Sequence, residues 1–283
     1  MIKNVLITGD THGRVVERIH NIRRNCLDYE PNETAIIILG DAGINYYLNK
    51  SDKKNKANIN ALGYHIYCVR GNHEERPENI PGMHSNYDKL VQGMVYSESD
   101  YPFIKYFQDG HIYKIKNYRC LVIGGAYSVD KYWRLQQAAA QGSSFSGWFE
   151  GELLTQEEMD RIYNNVKDKE VDFIFSHTCP SSIEPTDLFL ECIDQTTVDK
   201  SMEEFLKKIR DDVNHEIWCF GHFHADRVER PGVEQFYYRY EEIDTLWHRW
   251  FGPGYEEGDY KTLNKSPFMD LYCAYLHDEP VTE

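Results

Sequence analysis

Five short segments of the chain carry side chains that bind divalent metal ions in proteins. The segments are Asp10–Gly13 (DTHG), Gly40–Asp41, Gly71–Glu74 (GNHE), His177 and Gly221–His224 (GHFH). Together they supply carboxylates, imidazoles and an amide oxygen, a donor set that suits cations of intermediate hardness. The set is larger than one ion needs. It would serve two ions about 3.5–4 Å apart that share a bridging carboxylate.

Each of these segments directly follows a predicted β-strand. The predicted strands are Val5–Thr8, Ala35–Leu39, His65–Val69, Val171–Phe175 and Glu216–Phe220. Helical spacing of apolar residues predicts helices over Val15–Cys26, Thr155–Val166 and Ser201–Val213. Strands that alternate with helices indicate a parallel sheet, in which ligands bind at the carboxyl ends of the strands. Asp10, Asp41 and Asn72 recur at a regular step of 31 residues, although the chain shows no internal repeat.

The rest of the chain gives weaker patterns. The polar stretch Asn49–Lys56 is expected to be a solvated loop with a helix beyond it, and residues 77–108 are expected to be irregular. Tyr113–Lys116 and Arg119–Gly125 predict a hairpin, while Phe236–Tyr238 and Leu271–Tyr275 predict late strands. We expect one domain over residues 1–283, with a metal-binding core at 5–224 and further strands and a tail at 225–283.

The five segments, in this order, resemble the motifs of the calcineurin-like metallophosphoesterases. That superfamily carries GDxH(G), GDxx, GNH(E/D), a later His and GHxH. The resemblance covers Val5 to His224. It implies a four-layer αββα sandwich, in which two mixed β-sheets are flanked by helices. It also implies the roles of the site residues. The first metal would be bound by Asp10, His12 and His224, the second by Asn72, His177 and His222, with Asp41 as the bridge and His73 as the catalytic histidine facing the leaving group.

Such a centre is suited to phosphoester hydrolysis. Two divalent cations lower the pKa of a shared water, so that a hydroxide is available near neutral pH for in-line attack on phosphorus. A protonated His73 would donate to the leaving oxygen, an effect typically worth about 10²- to 10⁴-fold. Nitrogen and oxygen ligands favour Mn²⁺ or Fe, and Zn²⁺ or Mg²⁺ are the alternatives.

The second motif departs from one branch of this superfamily. The Ser/Thr protein phosphatases, which the segment Val69–Glu74 also resembles, have GDxxDRG, whereas this chain has Ile44 and Asn45 at the Asp and Arg positions. In that branch the Asp orients the catalytic histidine and the Arg binds phosphate. The loop predicted over residues 124–134 is the candidate to replace the missing Asp and Arg. Its substrate-binding candidates are Lys131, Arg134 and Tyr127. The alternative interpretation of that loop is a surface ion-pair cluster with packed aromatic residues.

The composition of the chain limits the kinds of partner that it can bind. The chain has 283 residues and a formal net charge of −15, which argues against duplex DNA and other long polyanions. A small phosphorylated substrate or a phosphoprotein is expected instead. No apolar run approaches the ~20 residues that span a bilayer, and the N-terminus lacks the layout of a signal peptide. We therefore expect a cytoplasmic protein without a membrane partner. Seven cysteines form no CxxC pair, which favours neither disulfides nor a cysteine-ligated zinc.

These features together predict a metal-dependent phosphohydrolase that acts on phosphomonoesters, phosphoproteins included. One alternative keeps the same centre for a phosphodiesterase or a hydrolase of nucleotides or dinucleotides. The other is a non-catalytic scaffold. Degenerate relatives of the superfamily lose metal ligands, and the motif set of this chain is complete, which favours the enzyme.

Overall fold

Two mixed β-sheets face each other in the computed structural model, which describes residues 2–25, 28–230 and 232–252. The first sheet contains β1 (Asn4–Thr8), β2 (Thr34–Ile38), β3 (His65–Cys68), β4 (Met83–Asp88), β5 (Gly93–Glu98), β6 (Ile104–Phe107) and β13 (Tyr240–Glu242). Its order is β13-β1-β2-β3-β6-β5-β4, and β1, β2, β3 and β6 are parallel.

The second sheet contains β7 (His111–Ile115), β8 (Tyr118–Ile123), β9 (Glu170–Ser176), β10 (Asn214–Phe220), β11 (Arg227–Arg230) and β12 (Val233–Gln235). Its order is β11-β12-β10-β9-β8-β7, with β12, β10, β9 and β8 parallel. The helices are α1 (Val15–Asn25), α2 (Lys50–Ala61), α3 (Lys131–Gln141), α4 (Gln156–Val166), α5 (Ser201–Asp212) and α6 (Ile243–Phe251).

The central strands are buried on both faces. In β1, Val5 and Ile7 point into the core between the two sheets, while Leu6 packs on the other face with Ile19 of α1. In the second sheet, Phe173 faces the core between the sheets. Because both faces are covered, such strands are continuous apolar runs rather than alternating ones. Two sheets between layers of helices confirm the predicted αββα sandwich.

Several sequence predictions were correct. The helix over Thr155–Val166 forms with its capping box intact, since the Thr155 side chain accepts from the backbone of Glu158 and the Glu158 side chain accepts in return. The hairpin of β7 and β8 is antiparallel as expected. The predicted helix over Val15–Cys26 is described as far as Asn25. Leu271–Tyr275 and Cys26 lie outside the described residues.

Two predictions of irregular structure were wrong. Asn49–Lys56 is not a loop but the cap and first turns of α2, because the Asn49 side chain accepts from the backbone N–H of Ser51. Only Asp52, Lys56 and Ile59 of that helix are buried, which leaves too few apolar residues for a helical pattern. The stretch 77–108 holds β4, β5 and β6, and its outer strand β4 is mostly exposed. An exposed edge strand lacks the apolar alternation that would reveal it.

Two further predictions failed around turns. Phe236–Tyr238 is not a strand. It lies between β12 and β13, where the Asp226 carboxylate accepts from the backbone N–H groups of Tyr237, Tyr238 and Arg239. These bonds replace a strand ladder. The predicted loop at 124–134 becomes helical at Lys131, where α3 begins.

No helix of the described residues combines the length and apolar character needed to cross a membrane.

Candidate metal centre

The five metal-binding segments converge where parallel strands of the two sheets end. The first sheet delivers Asp10, Asp41 and Asn72 after β1, β2 and β3, and the second delivers His177 and His222 after β9 and β10. Backbone bonds tie the segments together, since the N–H groups of Thr11 and His12 donate to the Asp41 carbonyl at 3.1 and 2.8 Å. The site is therefore built at the seam between the sheets.

One half of the cluster contains Asp10, His12 and His224. His224 Nε2 lies 3.3 Å from Asp10 Oδ2, and His12 Nε2 lies 3.8 Å from the same oxygen. The two imidazole nitrogens are 2.9 Å apart. This brings together the residues that the family resemblance assigns to one metal ion.

The other half contains Asn72, His177 and His222. His177 Nε2 is 2.7 Å from Asn72 Oδ1 and 3.5 Å from Asp41 Oδ1. The rings of His177 and His222 are 5.0 Å apart between centroids, and the backbone N–H of His222 donates to Asp10 Oδ1. His177 Nδ1 faces the Leu39 carbonyl at 2.8 Å, which leaves Nε2 facing the cluster.

Asp41 lies between the two halves. Its Oδ1 faces His177, while its Oδ2 is 4.0 Å from Nδ1 of His12. Among described residues, Asp10, Asp41 and His177 each offer a ligand atom within 4.8 Å of one another, as do Asp10, His12 and His224. Asp10 and Asp41 are each about 1% exposed, so two carboxylates share one buried space.

The backbone at the cluster is held in a conformation that few residues adopt. His12, Asp41, His222 and His224 have φ angles of 44°, 48°, 65° and 49°. Positive φ is uncommon for residues other than glycine, and such strain concentrates at functional sites. Gly71 allows the segments to meet, because a Cβ there would lie 2.0 Å from Asp41 Oδ1. The motif glycine thus makes room for the central carboxylate.

The histidines of the cluster differ in pKa, and His177 stands apart from the others. Burial lowers the pKa of His12 to about 4 and that of His222 to about 3. Burial also opposes a charge on His177, yet the carboxylates of Asp41 and Asp10 and the carbonyl of Leu39 together outweigh it and raise the pKa of His177 to about 9. Burial acts to raise the pKa of Asp41, but His177, His73 and His12 together outweigh it and hold this pKa well below the usual range. Two anionic carboxylates among histidines form a site suited to cations.

The residues fit metal ions for a further reason. Asp10 Oδ2 is buried and accepts no hydrogen bond of good geometry within the described ranges. A buried carboxylate oxygen normally has a partner. With the ε-nitrogens of His12 and His224 also directed to this point, a divalent cation would satisfy all three atoms.

His73 lies beside the cluster rather than in it. Its backbone N–H donates to Asp41 Oδ1 at 2.8 Å, and its ring centroid is 5.9 Å from that of His12. The pKa of His73 lies below its usual value, because burial and the charge of Arg134 lower it by more than the charges of Asp41 and Asp130 raise it. The ring Nδ1 is buried without a hydrogen bond among described residues.

A cavity of about 630 Å³ opens over the cluster, and His73, Arg134 and Tyr127 are among the residues that line it. Asp130 Oδ2 accepts from Arg134 Nε at 2.5 Å, and Arg134 Nη1 donates to the Tyr46 hydroxyl at 3.0 Å. Asp130 is only 3% exposed, so this ion pair belongs to the cavity wall and not to the outer surface.

The three candidate substrate-binding residues are therefore separated. Tyr127 and Arg134 lie on the cavity wall, whereas the Lys131 ammonium lies 4.2 Å from the centroid of the Trp148 ring. The substrate-binding role of all three residues stays a prediction.

Some residues that hold the cluster in place were not assigned a role from the sequence. Ser128 Oγ accepts from the Asn72 amide at 2.8 Å and thereby turns Asn72 Oδ1 toward His177. Glu74 accepts from the Tyr106 hydroxyl at 2.7 Å and from the Gly71 backbone, and burial raises its pKa to about 7. Glu74 had a signal, its place in GNHE. Ser128 lies in the loop singled out at 124–134, but no pattern there indicated a contact with Asn72, since the two residues meet only through folding.

The sequence pattern of the family described as calcineurin-like phosphoesterase matches residues 3–226. No curated protein matches the chain at a significant level. One solved structure shares 12% identity at a TM-score of 0.46 and covers 87% of this chain and 96% of its own. Another, a phosphopantetheinyl hydrolase from Mycobacterium tuberculosis, shares 12% identity at a TM-score of 0.40, covering 93% of this chain and 96% of its own.

Proposed function

Since the chain belongs to the calcineurin-like phosphoesterase family and is a metal-dependent phosphoesterase, we propose that its substrates are phosphomonoesters, phosphorylated protein side chains included. The proposed centre holds two divalent cations, with Mn²⁺ or Fe favoured by the nitrogen and oxygen ligands and Zn²⁺ or Mg²⁺ as alternatives. Asp10, His12 and His224 would hold one, and Asn72, His177 and His222 the other.

The observation that carries the two-metal proposal is the position of Asp41. Its two carboxylate oxygens face different halves of the cluster, one toward His177 and the other toward His12. A carboxylate so placed suits a bridge between two cations. When bound, the cations supply a water of lowered pKa and neutralise charge on the phosphoryl oxygens.

The remaining chemistry falls to side chains of the cavity. We propose that His73 gives its proton to the leaving oxygen as a general acid. Burial lowers the pKa of His73, so its protonated form depends on the charges of Asp41 and Asp130, which oppose part of that shift. In the Ser/Thr protein phosphatases an aspartate at the position of Ile44 orients the catalytic histidine. Asp130 would serve the same function for His73 from another loop of the fold.

Arg134 supports a preference for monoesters over diesters. A phosphomonoester dianion carries one more charged oxygen than a diester, and a guanidinium suits bidentate binding of such oxygens. Asp130 and Tyr46 orient Arg134 on the cavity wall. Arg134 would thus bind phosphate, as the arginine at the position of Asn45 does in the Ser/Thr protein phosphatases.

The second candidate is a phosphodiesterase or a hydrolase of dinucleotides. It is favoured by the size of the cavity, which at about 630 Å³ extends well beyond the cluster and leaves room for a second ester group.

Turnover of 4-nitrophenyl phosphate and its bis-ester by the Mn²⁺-loaded enzyme separates the two candidates. We expect a higher kcat/KM for the monoester and two metal ions per chain by elemental analysis. A rate on the bis-ester equal to or above that on the monoester would contradict the proposal. Metal content well below two per chain after loading would contradict the two-metal centre.

A further inference from the structure

The cavity has a second region that phosphoryl transfer does not use. We call it the apolar wall, defined by Leu188, Phe189, Ile193 and Phe223. Leu188 is buried, and the other three are partly exposed. Apolar side chains beside a charged cluster do not serve the phosphate, and they suit the other part of a substrate.

The apolar wall begins next to the metal-binding histidines. The Phe223 ring centroid lies 4.9 Å from that of His222. Phe189 is nearly parallel to Phe223, with an interplanar angle of 22° and centroids 6.2 Å apart. Lys200 fixes the outer side, since its ammonium lies 4.6 Å from the Phe189 centroid and 2.6 Å from Glu184. Flat aromatic faces of this kind favour stacking by a planar group.

A buried carboxylate belongs to the same region. Glu203, in the first turn of α5, lines the cavity and is 4% exposed. Its Oε1 accepts from the Thr178 hydroxyl at 2.7 Å, and Thr178 follows His177 directly. Its Oε2 is buried and has no donor among the described residues. Such an oxygen is costly to leave unpaired, and Glu203 is among the residues that line the cavity, so a donor on a bound ligand is a suitable partner for it.

We infer that the apolar wall binds the leaving group of the substrate, and that this leaving alcohol carries a flat nitrogen heterocycle whose amino N–H donates to Glu203 Oε2. A nucleotide whose base carries an exocyclic amino group has this chemistry. The inference rests on the proposed function and narrows its substrates. A small polyol phosphate would leave both the aromatic faces and Glu203 unused.

Binding of the leaving group alone tests this without any hydrolysis. We expect calorimetry to give a measurable affinity for adenosine, weaker by about tenfold in Phe189→Ala, because stacking on an aromatic side chain is typically worth that much or more. Phe251→Ala is the matched control, since Phe251 is an exposed phenylalanine on α6. Equal affinities in the wild type and Phe189→Ala would overturn the inference, whatever the outcome of the phosphatase assays.

A second variant tests the hydrogen bond. Purine riboside differs from adenosine only by lacking the amino group, so we expect it to bind about tenfold more weakly than adenosine to the wild type. Glu203→Gln keeps an oxygen for Thr178 but directs an NH₂ group at the ligand, and should remove the preference. The titrations are run at pH 8.5, because burial raises the pKa of Glu203 to about 7. No preference in the wild type, or an unchanged one in Glu203→Gln, would refute the role of Glu203.

Steady-state kinetics tests whether the apolar wall also contributes to turnover. With phosphate release as the readout, we expect AMP to exceed ribose 5-phosphate in kcat/KM by about tenfold or more, and Phe189→Ala to reduce this ratio. Turnover of 4-nitrophenyl phosphate without a preference for AMP would leave the proposed function standing and overturn the inference. Absence of monoester turnover, with adenosine still bound as described, would overturn the proposed function alone.

Discussion

We call the buried cluster around Asp10 and Asp41 the floor of the cavity, and the residues around Arg134 and Phe189 its walls. The floor and the walls are held in place by different kinds of contact. On the floor, Asp10 and Asp41 are almost wholly buried, and backbone N–H groups from strand-end loops donate to them. On the walls, Arg134 and Phe189 lie on a helix and a short turn far apart in the chain. Their contacts are mostly with other side chains, apart from a bond from Arg134 to the Gly147 carbonyl. The comparison indicates that the floor is fixed by the ends of strands, whereas the walls depend on distant packing and are free to set specificity.

The largest expected effect comes from the floor. Asp41→Asn removes the charge between the two halves of the cluster, so we expect turnover to fall by more than about 10³-fold and metal content to drop for both ions. Elemental analysis and 4-nitrophenyl phosphate kinetics measure this. Asp88→Asn is the control, because Asp88 is a buried carboxylate paired with Lys105 away from the cluster. Two retained metals in Asp41→Asn would show that the floor does not depend on this carboxylate.

His73 lies at the boundary of floor and wall, and its loss should leave the metals in place. Since the contact with Asp41 comes from the His73 backbone, His73→Asn keeps that bond. We expect kcat to fall by about 10²-fold or more. The fall should be greater with phenyl phosphate than with 4-nitrophenyl phosphate, whose less basic leaving group needs less help from an acid. An equal fall with both substrates would exclude proton donation by His73.

A smaller effect is expected on the wall. Arg134→Ala should lower kcat/KM for monoesters by about tenfold and leave metal content at the wild-type level, while Arg134→Lys should recover part of the loss. The control is Arg24→Ala, in the exposed last turn of α1. Wild-type kinetics in Arg134→Ala would assign the Asp130–Arg134 pair to stability alone.

The smallest kinetic effect is expected outside the cavity. Thr155→Ala removes the cap of α4, so the free energy of unfolding should fall by about 1 kcal/mol in urea titrations, with kcat/KM unchanged. Thr155→Ser retains the hydroxyl and should restore most of the stability. A kinetic defect in Thr155→Ala would mean that the stability of α4 is coupled to the cavity, and would contradict its place outside the site.

Much of the fold could be predicted from the chain because local patterns match local structure. The buried strand β2 is a continuous apolar run, and α4 carries its own capping residues. The failures have equally local causes. The helix α2 is rich in lysine and asparagine and buries little, and Phe236–Tyr238 has the composition of a strand but is held in a turn by Asp226.

The same division applies to the site. The sequence determined which residues form the floor, because each potential ligand follows a strand directly and parallel strands end at a common edge. Only the tertiary structure decided what faces that floor. Ser128, Arg134 and Glu203 reach the cavity from the loop after β8, from α3 and from α5, and no local pattern ties these positions to His177 or His73. The physical reason is that a strand end fixes a direction within a few residues, whereas the meeting of helices and loops depends on the packing of the whole core.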